Sequence, residues 1–302
     1  MTSLIDLQHA IARHSVAGFN QTAVPRMALA RADSVSGGSE SVYEAWLLVV
    51  AQGRVRMQLG DEPFELSAER YALTSVDLPL TGEVCEASTQ QPFLALALSL
   101  EPVMLASVLL DMGEQLLDLP PSAGMALGVL GTDLLDPLTR LVRLLSQPVD
   151  IGMLAPMIER EILYRLLLGE PGAMLRQLAL SDSRLSRISN AISHIRRHYA
   201  QPLRIEMLAK AVGMSLSSLH RHFKAVTGMS PLQYQKRLRL QEARRQLTAR
   251  QQSAAGIAFA VGYESPSQFS REYKRMFGVA PSRDALELRQ SVLQPRRGPM
   301  TD

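Results

Sequence analysis

Between residues 43 and 100, short apolar runs broken by polar pairs dominate the chain; beyond residue 102 the apolar positions recur every three or four residues. The runs Tyr43 to Ala51, Arg54 to Leu59, Tyr71 to Val76, Gly82 to Ala87 and Phe93 to Leu100 are separated by turn-forming pairs such as Gln52-Gly53, Gly60-Asp61 and Gln91-Pro92. Strands at that spacing predict a small barrel or sandwich. Ahead of them, the start of the chain reads as mobile and is followed by the Gly/Ser stretch Ser34 to Ser41. Leu134, Leu138, Leu141, Val142 and Leu145 follow helical spacing, as do Leu154, Ile158, Ile162, Leu163 and Leu166. These two amphipathic helices have two destinations on pattern alone: a seam between subunits, or their own barrel.

Past Pro171-Gly172 and Ser181-Asp182-Ser183 the pattern becomes wholly helical and repeats itself. Residues 209 to 231 recur at 258 to 281: Ala209, Val212 and Gly213 match Ala258, Val261 and Gly262 at an offset of 49. One extra residue then shifts the offset to 50 for Ser215/Ser265, Leu219/Phe269, Arg221/Arg271, Phe223/Tyr273, Lys224/Lys274, Gly228/Gly278 and Pro231/Pro281. Each copy predicts a helix, a turn at a glycine that tolerates a left-handed backbone, and a second helix. Leu216, Leu219, Phe223 and Val226 fall on the inward face of the first copy, with Ser217, His220, Arg221 and Lys224 opposite. In the second copy Phe269, Tyr273 and Met276 face in, and Ser267, Ser270, Arg271 and Lys274 face out. A leading helix is expected over Arg184 to Tyr199, and one continuous helix over Pro231 to Leu247. The latter would span about 25 Å, a length compatible with holding two recognition helices ~34 Å apart on successive major-groove segments.

Charge separates the halves. Residues 1 to 180 hold 11 Lys and Arg against 21 Asp and Glu, a net of −10, whereas residues 181 to 302 hold 21 against 8, a net of +13. Only the basic part can attract a polyanion through its net charge. The outward faces suit that task, because a guanidinium can fork onto guanine O6 and N7 while small hydroxyls let a helix lie close in the groove. Ser217, His220, Arg221, Ser267, Ser270 and Arg271 are therefore the candidates for reading bases, and Lys224, Lys274 and Arg275 for contacting phosphate. One cysteine, Cys85, in 302 residues excludes an intramolecular disulfide and fits a reducing compartment. No stretch of 18 apolar residues is present, so the expectation is a soluble cytoplasmic protein without membrane contact.

The basic half resembles the C-terminal domain of the AraC/XylS family of bacterial transcription regulators. The resemblance rests on residues 256 to 278 with Pro281, on Leu208-Ala209 through Lys224 with Gly228 and Pro231, and on the run Arg239-Leu240-Gln241-Glu242-Ala243-Arg244. It covers about 100 residues and implies two helix-turn-helix units, at about 205–226 and 255–277, joined by a linker helix in a domain of residues 181–290, with 291–302 a disordered tail. By position it places base-reading residues at Ser217, His220 and Arg221, and at Pro266, Ser267, Ser270 and Arg271. Two residues depart from the family pattern. Gly256 stands where a helix-favouring side chain is usual, and Pro266 is suited to starting a helix rather than reading a base.

The acidic half resembles the effector domain of one branch of that family through Val50 to Gly53, Leu59 to Glu62 and Ser75 to Gly82. The resemblance implies a cupin-like β-barrel with added helices over residues 1–180, giving a two-domain α+β chain that senses a small-molecule effector and pairs subunits as a homodimer. Double-stranded DNA and RNA polymerase are the further partners it implies. A metal-dependent enzyme on such a barrel needs several histidines, but only His9 and His14 precede residue 194, so no catalytic residue, metal or cofactor is expected. Cys85 is either a sensor thiol or an inert strand residue, and its neighbours Glu83 and Glu86 disfavour a thiolate. Trp46 and Tyr43 either line a ligand cavity or pack the core. His194 and His198, one helical turn apart, lack an evident third metal ligand. The competing functions are an architectural DNA protein without sequence preference and a cupin-type enzyme with an accessory DNA domain.

Overall fold

The structure, a computed structural model, describes residues 2–36, 39–43, 45–59, 62–113, 124–179, 184–249 and 253–286. The chain divides into two compact units that do not follow sequence order: Met1–Ile192 with Ala209–Ser230, and Ser193–Leu208 with Pro231–Asp302. The expected boundary at residues 180/181 and the 291–302 tail lie outside the described residues.

The first unit opens with α1 (Leu4–His14), then β1 (Gly18–Gln21), β2 (Met27–Ala32), β3 (Ser39–Tyr43), β4 (Trp46–Gln52), β5 (Arg54–Leu59), β6 (Glu62–Ser67), β7 (Arg70–Thr74), β8 (Leu78–Glu86) and β9 (Phe93–Ser99). It continues through α2 (Pro102–Asp111), β10 (Met125–Val129), α3 (Thr132–Arg143), α4 (Pro148–Leu168) and α5 (Gly172–Ala179). The strands form two antiparallel sheets, one of order β1-β2-β9-β4-β7-β10 and one of order β3-β8-β5-β6. Strand β9, Phe-Leu-Ala-Leu-Ala-Leu-Ser, is buried on both faces because it lies between β2 and β4, where Leu96 pairs with Leu29 and with Val49. Of the expected Tyr43 to Ala51 strand, Trp46 onward forms β4 in the larger sheet, whereas Tyr43 ends β3, an unforeseen strand that joins β8 in the smaller sheet.

The start of the chain is ordered, which corrects the expected mobile segment. Ser3 and Asp6 close a capping box, with the Ser3 hydroxyl accepting from the Asp6 N–H at 3.3 Å and the Asp6 carboxylate accepting from the Ser3 N–H at 2.8 Å. Leu7 and Ile11 are then buried where α1 packs on β2, β4, β9 and α3. Helices α3 and α4 settle on their own unit. Their inward faces bury Leu134, Leu138, Leu141, Ile158, Ile162 and Leu166, and Arg140 ties Asp136 on α3 to Glu161 on α4. Leu154, expected inward, is 38% exposed. It lies toward the outer side of α4, where Val149, Met153 and Met157 are also exposed.

The helical remainder contains α6 (Arg184–Arg197), α7 (Ile205–Ala211), α8 (Leu216–Thr227), α9 (Pro231–Ala249), α10 (Ala254–Ala260) and α11 (Pro266–Phe277), followed by helical residues 281–286. Helix α8 belongs to the sheet-bearing unit. Its Val226 packs against Gly124, whose carbonyl oxygen accepts from both the N–H (2.9 Å) and the hydroxyl (3.2 Å) of buried Ser75. The second unit has its own core, in which Leu240, Ala243 and Leu247 of α9 meet Ile257, Ala258, Val261, Phe269 and Tyr273.

Candidate nucleic-acid interface

In the first copy, α7 ends in a Schellman turn. The Gly213 N–H donates to the Lys210 carbonyl at 3.2 Å and the Met214 N–H to the Ala209 carbonyl at 2.9 Å, with Gly213 at φ +64°. The Ser215 hydroxyl then caps α8 by accepting from the Ser218 N–H at 3.3 Å. The second copy reproduces each bond. The Gly262 N–H reaches the Phe259 carbonyl at 3.0 Å, the Tyr263 N–H reaches the Ala258 carbonyl at 2.9 Å, and the Ser265 hydroxyl accepts from the Gln268 N–H at 3.3 Å. Pro266 occupies the first turn of α11, as its missing N–H and fixed φ favour.

Beyond those turns the inward faces are sealed. Leu219, Phe223 and Val226 are buried on α8, and Phe269 and Tyr273 on α11. Tyr263 meets Phe269 edge-on at 5.4 Å, and the Tyr273 hydroxyl donates to the Asp284 carboxylate at 2.7 Å. Arg244 pairs with the same carboxylate at 3.0 Å and lies over the Phe277 ring. Burial, reinforced by the carboxylate partners Glu272 and Asp284, pushes both Tyr263 and Tyr273 far above the usual tyrosine range. Leu216 departs from its expected inward place. It is 43% exposed, because at the first helical position its side chain precedes the buried stripe.

All nine residues singled out from the sequence are exposed: Ser217, His220, Arg221 and Lys224 on α8, and Ser267, Ser270, Arg271, Lys274 and Arg275 on α11. Helix α8 carries no carboxylate. Helix α11 carries one, Glu272, which is occupied by the Lys236 ammonium (2.9 Å), the Tyr263 hydroxyl (2.9 Å) and the Gln268 amide (3.3 Å). Those donors hold its pKa down against the opposing effect of burial. Both outward faces thus present cations and hydroxyls with negative charge withdrawn. His222, grouped with the other histidines in the sequence, is buried beside Arg221, with Nε2 and Nη2 3.3 Å apart.

Three residues escaped the sequence reading. Arg187 on α6 donates Nη1 to the Gly213 carbonyl at 2.9 Å. Arg239 on α9 donates to the carbonyls of Tyr199 (2.7 Å), Gly262 (2.8 Å) and Gln201 (2.9 Å), while Gln235 reaches Tyr199 and Gln201 at 3.0 and 2.7 Å. The charge of the two arginines signals solvent or phosphate, and nothing in the local pattern marks a carbonyl partner distant in sequence for any of the three.

The other candidates stand apart from these faces. Cys85 is half-buried on β8, its Sγ donating to the Glu83 carbonyl at 3.4 Å. Around it the sheet carries cations as well as carboxylates: Arg56 pairs with Glu65 at 3.0 Å and Glu83 at 3.9 Å, and Arg54 with Glu65 at 3.4 Å and Glu86 at 3.5 Å. Trp46 is half-buried and stacks on Phe19 at 5.4 Å, while the Tyr43 side chain lies outside the described residues. The His194 and His198 rings lie 4.6 Å apart, tilted by 36°, and His198 Nδ1 lies 3.0 Å from the His194 carbonyl. Among the described residues no group of three or more His, Cys, Asp or Glu is placed to hold a metal ion.

Residues 23–174 match the AraC-type transcriptional regulator N-terminus, half of the chain, and residues 208–285 match a helix-turn-helix domain. The chain belongs to the AraC-type transcriptional regulators. Among its relatives, the HTH-type transcriptional activator RhaS of Klebsiella pneumoniae (strain 342) is 33% identical over 138 residues, 45% of this chain and 48% of that protein. RhaS of Escherichia coli (strain SMS-3-5 / SECEC) is 31% identical over 158 residues, 51% and 55% of the two chains. The chain thus spans about half the length of the relatives it matches. The AraC-type fold is also shared with ToxT from Vibrio cholerae strain SCE256 bound to an unsaturated fatty acid, at a TM-score of 0.56 and 10% identity over 86% of this chain and 94% of that one. The sheet-rich half with added helices and the paired helix-turn-helix units are the AraC-type arrangement foreseen in the sequence; among the described residues the strands form two antiparallel sheets where one cupin-like barrel was expected.

Proposed function

We propose that this AraC-type regulator binds double-stranded DNA sequence-specifically and controls transcription, with α8 and α11 as its two recognition helices. The observation that carries the reading is the repetition of the entire presenting device: Schellman glycine, serine cap, sealed inner face, and an exposed arginine and lysine three residues apart. Arg221 and Arg271, with Ser217, His220, Ser267 and Ser270, read base edges; Lys224, Lys274 and Arg275 contact phosphates. Residues 181–290 form the DNA-binding domain. Residues 1–180 take a small-molecule effector, as ToxT takes a fatty acid in its structure, and pair subunits. The regulator acts in the cytoplasm with RNA polymerase as partner, as an activator like RhaS and not as an enzyme. Among the described residues no helix is long and apolar enough to cross a membrane.

Selection of binding sites from random duplexes, followed by footprinting at fixed salt, tests the proposal. The expected result is an enriched site with two protected segments about 10 base pairs apart centre to centre, one turn of the double helix. Binding of selected and random duplexes within a few-fold of each other would instead establish the architectural reading, which shares the positive charge but not the specificity ratio.

A further inference from the structure

The Schellman turn satisfies the last helical carbonyls and leaves the glycine's own carbonyl pointing out of the motif. In both copies an arginine from the preceding helix takes that carbonyl: Arg187 of α6 donates to Gly213 at 2.9 Å, and Arg239 of α9 donates to Gly262 at 2.8 Å. These arginines occupy equivalent places, each on the first helix of a three-helix group, although their sequence separations from the glycine, 26 and 23 residues, differ.

The second clamp is the more elaborate. One guanidinium joins α9 to the pivot turn and to the 199–201 segment, and Gln235, one turn earlier on α9, reinforces the latter. Gly262 comes so close to Ala200 that any β-carbon would collide with the Ala200 carbonyl, so the turn and the segment are pressed together. The planar fork serves three carbonyls at 2.7 to 2.9 Å from three different nitrogens, Nε, Nη1 and Nη2, whereas an ammonium would have to direct its three N–H groups from a single nitrogen. Burial lowers the Arg239 pKa, the mark of a cation withdrawn from solvent rather than held out toward a phosphate.

We infer that Arg239, and Arg187 in the first copy, are positioning residues for DNA reading: each fixes the pivot turn and so sets the angle at which its recognition helix meets the groove. The inference rests on the proposed function. The full chain carrying Arg239→Lys, Arg239→Gln or Arg187→Lys is footprinted on the site selected with the unaltered protein, the half-sites being assigned with Arg271→Ala and Arg221→Ala. Arg239→Lys and Arg239→Gln are expected to cut affinity at least tenfold and to flatten base preference in the α11 half-site, sparing the α8 half-site. Arg187→Lys is expected to act on the α8 half-site alone.

Amide hydrogen exchange supplies a readout independent of DNA. The Gly262 and Tyr263 N–H groups are expected to exchange at least tenfold faster in Arg239→Lys, with the α9 interior unchanged. A lysine variant with wild-type footprint and exchange, while the glutamine variant loses affinity, would show a plain charge contact and overturn the inference. Unchanged exchange at the turn in a folded lysine variant would overturn it as well. If the unaltered protein selects no site, the regulator reading falls and the exchange result still decides the clamp; if Arg239→Lys does not fold, Arg187→Lys and exchange at Gly213 decide it.

Discussion

A β-carbon added to Gly124 would stand 2.5 Å from the Val226 carbonyl oxygen and 2.9 Å from its Cγ1, so the sheet-bearing unit holds the end of α8 at a distance only glycine permits. Ser75 fixes the other side of Gly124 with two hydrogen bonds, so the strand cannot yield without losing them. Gly124→Ala is therefore expected to cost about 1 to 3 kcal/mol, the usual penalty for overpacking, and to hasten tryptic cleavage after Arg221 and Lys224. Denaturant unfolding and timed proteolysis would check both; an unchanged midpoint with α8 still protected would show that the contact relaxes freely.

Replacing Arg221 or Arg271 with alanine is expected to relax base preference at different positions of the selected site, by about 1 to 3 kcal/mol for each bidentate contact removed. Lys274→Ala should weaken all duplexes alike and reduce the salt slope by about 1. Competition binding against a panel of single-base variants separates these outcomes. Intact preferences in both arginine variants would refute the assignment.

Alkaline pH should loosen the second unit. Tyrosines of the unfolded chain ionise near pH 10, whereas burial and the Asp284 and Glu272 carboxylates keep Tyr273 and Tyr263 protonated well above that. The folded-state values are raised, so this stabilisation is complete below about pH 10 and is lost as pH climbs through them. Tyr273→Phe should flatten the dependence above pH 10 and cost about 2 kcal/mol at neutral pH by taking a donor from buried Asp284. Thermal midpoints measured from pH 8 to 11 would show it; an identical slope in the variant would assign the effect elsewhere.

Cys85→Ser is expected to leave the transcriptional response to electrophiles unaltered. Its Sγ is taken up by the Glu83 carbonyl and the neighbouring Arg56 is engaged by Glu65 and Glu83. A reporter response abolished by the serine variant would make Cys85 a sensor.

The paired helix-turn-helix units were legible because local signals decide them: a 3.6-residue stripe, a serine cap and a glycine turn recur at Ser215 and Ser265 and at Gly213 and Gly262. The sheets were read less fully. Strand β5 was foreseen at its observed limits, but β6 was missed because Pro63 interrupts it, which an edge strand tolerates. Strands β1, β2 and β10 were also missed, β2 because Met-Ala-Leu-Ala-Arg-Ala has helical composition and becomes a strand only by pairing with β9. Helix α1 carried its capping box openly at Ser3 and Asp6. The seat of Val226 on Gly124 and the arginine clamps joined residues too far apart in sequence for any periodicity to reveal.

The pairing of Gly124 with Val226 also bears on dissection of the protein. A fragment cut to begin near residue 184 would retain every cationic side chain of α8 and α11 yet lift α8 from its support, laying bare Val226 and the helix end. Such a fragment would make the reader under α11 look the stronger of the two, for a reason of surgery rather than of DNA.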